Sequence, residues 1–128
     1  MAYGRERDWY RIALRGGRFG WISPLEAGTF RSTETLLLKA LTHVTEHWDG
    51  RVADAPAPSA ATRRSPRPAN GSVHVLETRQ VGDDLWLRIA ILDPGHCDVV
   101  EPRVVAAGWI PAYARSGDPT VWFHSRGC

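Results

Sequence analysis

The sequence predicts a mainly β fold in which two copies of one strand motif flank a single amphipathic helix. The motif WYRIAL at residues 9–14 aligns without gaps on WLRIAI at 86–91. A Gly-Trp-Ile step follows each copy, at 20–22 and at 108–110. The segment between the copies has apolar residues at helical spacing. We therefore expect paired half-repeats of antiparallel hairpins, with one helix between them.

The first copy predicts a β-hairpin over residues 9–22. Trp9 and Arg11 fall on one face of a period-two strand and Tyr10 and Ile12 on the other. A Gly-Gly pair at 16–17 can supply the positive φ angles of a tight turn. Because few residues precede Trp9, we expect the first copy to lack the leading strand that residues 73–81 give the second.

The segment between the copies predicts one helix from Thr33 to about Trp48, capped by Ser32. Its apolar positions are spaced four, three and four residues apart, so one face of the helix would pack on the sheet. The residues of this stripe are Leu37, Leu41, Val44 and Trp48.

Residues 51–71 are rich in Pro, Ala, Ser and Arg and have no period, which predicts a flexible loop or linker. The chain would then divide into residues 1–50, the linker 51–71, and residues 72–128 ending in a strand at 120–124, with one shared core. The net charge is +2; residues 51–71 carry +3 and the rest of the chain −1, so we expect no nucleic-acid partner. The apolar runs are far shorter than the ~20 residues of a membrane span.

The chain has two cysteines, Cys97 and Cys128. A disulfide between them is favoured over two free thiols, because it would hold the chain terminus in place. It would indicate a periplasmic or cell-envelope location, whereas free thiols would fit the cytoplasm.

Where W-x-R-I precedes Gly-Trp-Ile, the chain resembles bacterial SH3-like domains, over residues 9–24 and 73–113. The Asn-Val-Arg stretch usual at the start of those domains is absent from both copies. The resemblance implies a small β-barrel and a noncatalytic module that binds cell-wall peptides or other short ligands. Trp21 and Trp109 correspond to the closing motif.

Six tryptophans in 128 residues also indicate an aromatic binding groove. Trp9 and Trp86, and Trp21 and Trp109, occupy equivalent repeat positions, which favours a place in the core over a groove for these four. The candidate ligand-binding residues are Tyr10, Trp21, Trp109, Tyr113 and Trp122.

Residues 43–47 match H-x-x-E-H, in which two histidines one helical turn apart bind zinc and the glutamate activates water. A wider metal cluster would add His96 and Cys97 to His43 and His47. The sequence has neither a C-x-x-C pair nor a second paired ligand spacing, so we expect no metal and no cofactor.

The interpretation favoured by the sequence is a noncatalytic SH3-like module that binds a peptide, a cell-wall fragment or a protein partner. Two alternatives remain open: an inhibitor or immunity-type protein acting by protein contact, and a small zinc-dependent hydrolase using His43, Glu46 and His47. An open strand edge in the first copy would favour a homodimer.

Overall fold

The computed structural model describes residues 2–14, 18–27, 31–124 and 127. The predicted class is confirmed: the protein is mainly β, with antiparallel sheets and a helix between the two motif copies. It divides into two compact units, residues 1–32 and 33–128. Within the described ranges, no helix is long and apolar enough to span a membrane.

The first unit is a three-stranded antiparallel sheet followed by a one-turn helix. Its elements are β1 (Ala2–Glu6), β2 (Trp9–Ala13), β3 (Phe19–Ile22) and α1 (Pro24–Ala27). The predicted pairing of the two motif strands is present. The turn is predicted at residues 15–18, of which 15–17 lie outside the described residues.

The expectation that the first copy lacks a leading strand was wrong. β1 pairs antiparallel with β2, from Ala2 opposite Ile12 to Glu6 opposite Trp9. A strand of five residues is of ordinary length, so the short stretch before Trp9 is enough to supply one.

The second unit contains the helix α2 and a seven-stranded antiparallel sheet with the order β10-β4-β7-β8-β9-β5-β6. A 3₁₀ turn at Ala69–Gly71 precedes β7. The elements are α2 (Thr33–Lys39), β4 (Thr42–Val44), β5 (Arg51–Ala53), β6 (Thr62–Arg64), β7 (Ser72–Val81), β8 (Asp84–Leu92), β9 (Val104–Pro111) and β10 (Val121–Phe123). In the described part of the chain β10 and β6 remain at opposite ends of this order, so the sheet is not a closed barrel.

The helix begins at Thr33 as predicted but ends at Lys39 instead of near Trp48. Residues 42–44 form β4, which pairs with β7 on one side and β10 on the other. The run Thr-His-Val-Thr at 42–45 is β-branched at three of four positions and favours a strand. Strand pairing on both edges therefore overrides the helical period of the apolar residues.

Residues 51–71 are also more regular than their composition indicates. β5 and β6 form an antiparallel hairpin, with Arg51 opposite Arg64 and Ala53 opposite Thr62. Ala53 also pairs with Trp109, which joins this hairpin to β9. The segment thus contributes strands at an edge of the sheet, held by backbone hydrogen bonds that its Pro- and Ser-rich composition does not predict.

The two motif copies pair in the same register. β2 and β3 in the first unit correspond position by position to β8 and β9 in the second, and β1 corresponds to β7 with a bulge at the same place. The equivalent cross-strand pairs are Tyr10–Ile22 and Leu87–Ile110, Arg11–Trp21 and Arg88–Trp109, and Ile12–Gly20 and Ile89–Gly108. The internal repeat is therefore present in the structure as well as in the sequence.

One apolar cluster forms the core of the second unit. It joins Leu37 of α2 to strand residues that are at most 2% exposed, including Leu87 and Ile110. Close approach of β5 to β9 depends on Gly108, where an added Cβ would lie 2.7 Å from the Cβ of Val52. A smaller cluster, Ala53, Trp86 and Trp109, lies on the opposite face of the same strands.

Candidate functional site

The second unit contains an open groove of about 580 Å³. It is lined by residues 44–46, 48–50, 64–68 and 71, which come from the end of β4, the connection to β5, and the segment after β6. Pockets that bind small ligands in proteins commonly have volumes of about 300–1,000 Å³. The groove is therefore large enough for a short peptide or a comparable ligand.

Local hydrogen bonds fix both walls of the groove. The carboxylate of Asp49 accepts from the backbone N–H of Arg51 at 2.9 Å, and Gly50 adopts φ 78°, a turn that favours glycine. The N–H of Ser65 donates to the carbonyl of Gly50 at 2.9 Å, which ties the two walls together. The indole Nε1 of Trp48 donates to the carbonyl of Arg51 at 2.9 Å and so orients the ring at the groove.

The charges that line the groove are of both signs. Glu46 and Asp49 belong to the connection before β5, and Arg64 and Arg67 to the end of β6 and the segment that follows. Neither arginine has an ion-pair partner among the described residues, and Glu46 lies 3.7 Å from the imidazole of His47. The groove can therefore pair with a ligand that carries both a carboxylate and an ammonium group, while Trp48 offers an aromatic surface.

The two candidate aromatic residues of the first unit lie on opposite faces of its sheet. Tyr10 is 7% exposed, and the guanidinium of Arg5 lies 5.7 Å from its ring centroid. Trp21 is 49% exposed and lies opposite Arg11. Because paired residues share a face and neighbours on a strand alternate, these two rings do not line one surface.

The three candidates of the second unit are dispersed as well. Trp109 packs in the small cluster beneath Arg79, whose guanidinium carbon lies 5.0 Å from the indole centroid. Tyr113 packs against the main core, and Trp122 in β10 has its ring centroid 4.9 Å from that of Phe123. None of them lines the groove, so a ligand-binding role for these residues stays a prediction.

The H-x-x-E-H stretch does not form the geometry of a zinc motif. His43 lies in β4, where its ring centroid is 4.5 Å from that of His124. His47 lies in the connection to β5, with Nδ1 3.8 Å from a carboxylate oxygen of Asp118. The motif needs both histidines one turn apart on a helix, and α2 ends before either of them.

The imidazoles of His43 and His124 lie against each other, with ring centroids 4.5 Å apart. Nδ1 of His43 and Nε2 of His124 are buried and have no hydrogen-bond partner among the described residues. Burial lowers the pKa of His43 below its ordinary 6.5, His124 lowers it further, and Glu46 acts in the opposite direction. The arrangement therefore favours a neutral imidazole at His43.

The other predicted ligands are held apart. Nε2 of His96 donates to the carbonyl of Val73 at 2.9 Å, and its ring centroid lies 6.4 Å from that of His74. In the described ranges, no three His, Cys, Asp or Glu side chains are placed to share a metal ion. Cys97 is disulfide-bonded, whereas Cys128 lies outside the described residues, so the Cys97–Cys128 pairing stays a prediction.

The residues that line the groove were missed by sequence reasoning. Residues 64–68 fell in the predicted linker, and Trp48 was assigned to the apolar stripe of a helix. One sequence feature indicates this wall: prolines alternate with other residues at 65–68. Such a segment favours an extended conformation, which can form the wall of a groove.

Comparison with known proteins adds no relative. No family model matches the chain, and neither the curated proteins nor the solved structures contain a significant match. The functional argument therefore depends on the groove and on the repeated strand motif.

Proposed function

We propose that the protein is a noncatalytic SH3-like binding module whose second unit holds a short peptide in the groove. The groove itself carries the proposal, because Glu46, Asp49, Arg64 and Arg67 offer partners for both charges of a small peptide around Trp48. Because these four side chains are exposed, each ion pair formed there would contribute about 1 kcal/mol or less.

Within this class we favour a cell-wall peptide. Such peptides are short and carry free carboxylates and an amino group, which is the charge pattern that the two walls complement. The resemblance of residues 9–24 and 73–113 to bacterial SH3-like domains supports the same ligand class. The hydrogen bonds that join Asp49, Gly50 and Ser65 support binding in the groove, because a preformed groove avoids the cost of ordering its walls when a ligand binds.

Co-sedimentation with purified peptidoglycan sacculi tests the proposal. Arg67→Gln and Glu46→Gln each remove a charge from the groove, and we expect each to lower retention by up to about five-fold. Arg115→Gln is the matched control, because Arg115 is exposed and does not line the groove. Trp122→Ala tests separately the predicted ligand-binding role of Trp122, which does not line the groove.

Circular dichroism would first verify that every variant is folded. Absence of retention for the unmodified protein would contradict a wall ligand and favour an inhibitor or immunity-type role toward a protein partner. Equal retention by the groove variants and Arg115→Gln would show that the groove is not the site.

A further inference from the structure

The first unit exposes an aromatic face that the second unit keeps buried. Trp9 and Trp21 are 48% and 49% exposed, whereas their equivalents Trp86 and Trp109 are 5% and 9% exposed. The strands that carry them pair in the same register in both units. The difference therefore comes from what covers the face and not from the strands themselves.

In the second unit the cover is the hairpin of β5 and β6. Ala53 pairs with Trp109 and packs in one cluster with both tryptophans, and Ala60 packs against that cluster. Arg63 reinforces the position by donating to the carbonyl of Ala107 at 2.6 Å and by pairing with Asp54. An extended segment with small side chains is thus the natural complement of this tryptophan pair.

The corresponding edge in the first unit has no second paired strand in the part of the chain that the structure describes. β3 pairs with β2 alone among the residues that the structure describes, whereas its equivalent β9 pairs with both β8 and β5. An unpaired strand edge beside exposed tryptophans presents backbone donors and acceptors together with apolar surface, the two requirements for strand addition.

Charge indicates what kind of strand fits. In the second unit Arg88 lies 3.8 Å from the carboxylate of Glu77, but the position equivalent to Glu77 is Gly4, so Arg11 has no carboxylate partner among the described residues. The guanidinium of Arg11 lies 4.0 Å from the ring centroid of Phe19 instead. Six arginines against three carboxylates give the first unit a net charge of +3, from Arg5, Arg7, Arg11, Arg15, Arg18 and Arg31 against Glu6, Asp8 and Glu26.

We propose that the edge of β3 and the Trp9–Trp21 face bind an acidic, extended segment of a partner protein that has small side chains. The segment adds a strand to β3, places an alanine- or glycine-sized residue against Trp21, and brings a carboxylate to Arg11. A second copy of this chain fits less well, because two faces of the same positive charge repel each other.

The test is a nuclear magnetic resonance titration of the full chain with the synthetic peptide acetyl-EVADAP-amide. This probe copies residues 52–56 and carries a glutamate in place of Arg51. We expect the indole N–H signals of Trp9 and Trp21, assigned from Trp→Phe variants, to shift with a Kd below about 1 mM. Trp21→Ala and Arg11→Gln should each weaken binding about five-fold or more.

Leu25→Ala is the control on the same unit, since Leu25 is 97% exposed and lies in α1 outside the sheet. If Trp21→Ala fails to fold, Trp21→Phe is tested in its place. This variant keeps an aromatic ring, and we expect it to retain most of the affinity. Absence of binding at 5 mM peptide, or equal binding of the charge-reversed acetyl-KVAKAP-amide, would overturn the proposal. Binding of oligothymidylate to the same tryptophans in place of the peptide would also overturn it and assign the face to nucleic acid.

Discussion

Replacing Gly108 with alanine should destabilise the second unit by steric conflict alone. The added Cβ would lie 2.7 Å from Cβ and 3.0 Å from Cγ2 of Val52, and 3.2 Å from the carbonyl oxygen of Ala53. Val52 is 1% exposed and sits in the main cluster, so it cannot move aside without disturbing the core. Overpacking of this kind costs about 1–3 kcal/mol, and the loss of glycine flexibility in the unfolded chain returns about 0.4–1 kcal/mol.

We therefore expect Gly108→Ala to lose about 1–2 kcal/mol of unfolding free energy, measured by urea denaturation and by thermal melting followed by circular dichroism. The matched control is Gly20→Ala at the equivalent repeat position, where the nearest atom is Cδ1 of Leu14 at 3.1 Å. Leu14 is 45% exposed and can rotate away, so its cost should stay below about 0.5 kcal/mol. Equal stability of Gly108→Ala and the unmodified protein would refute the close approach of β5 to β9.

Three further outcomes follow from the second unit. The pKa of His43 in the folded protein lies below the unfolded value of 6.5. Its contribution to the free energy of unfolding is therefore complete above pH 6.5 and is lost as the pH falls through the folded pKa. When unfolding is measured at several pH values, the unfolding free energy of His43→Gln should depend less on pH than that of the unmodified protein. Leu87→Ala should cost about 2–5 kcal/mol in denaturant unfolding, since Leu87 is fully buried; a loss below 1 kcal/mol would contradict the core described here. Thr42→Val should cost about 1 kcal/mol, because it removes the 2.7 Å hydrogen bond from Oγ1 to the carbonyl of Val73, and a neutral effect would show that this bond contributes nothing.

The repeated motif made the strand core predictable from sequence. The alternation in residues 9–14 and 86–91 is local, and it assigned the strands and their hairpin partners correctly. The alignment of the two copies also made Trp9 equivalent to Trp86 and Trp21 equivalent to Trp109. The structure confirms this equivalence, because the strands that carry them pair in the same register. The alternation could not predict whether these four rings are buried, because their exposure depends on whether a hairpin distant in sequence, such as β5–β6, covers them.

The helix end and the β5–β6 hairpin were not predictable for a related reason. The period of Leu37, Leu41, Val44 and Trp48 fits a helix, yet pairing of β4 with two strands distant in sequence decides its conformation. The hairpin in 51–71 is likewise held by pairing with β9. Since the groove is built from these two segments, a local pattern could indicate an extended wall at 65–68 but not the groove that the two segments form together.

The most direct test of a peptide-binding groove is a backbone and indole chemical-shift titration of the full chain with a short cell-wall stem peptide. The account predicts that the shifted signals cluster at residues 44–50 and 64–71, including the indole N–H of Trp48, and that Arg67→Gln weakens the binding. Binding mapped elsewhere, or no shifts at millimolar peptide, would contradict the account.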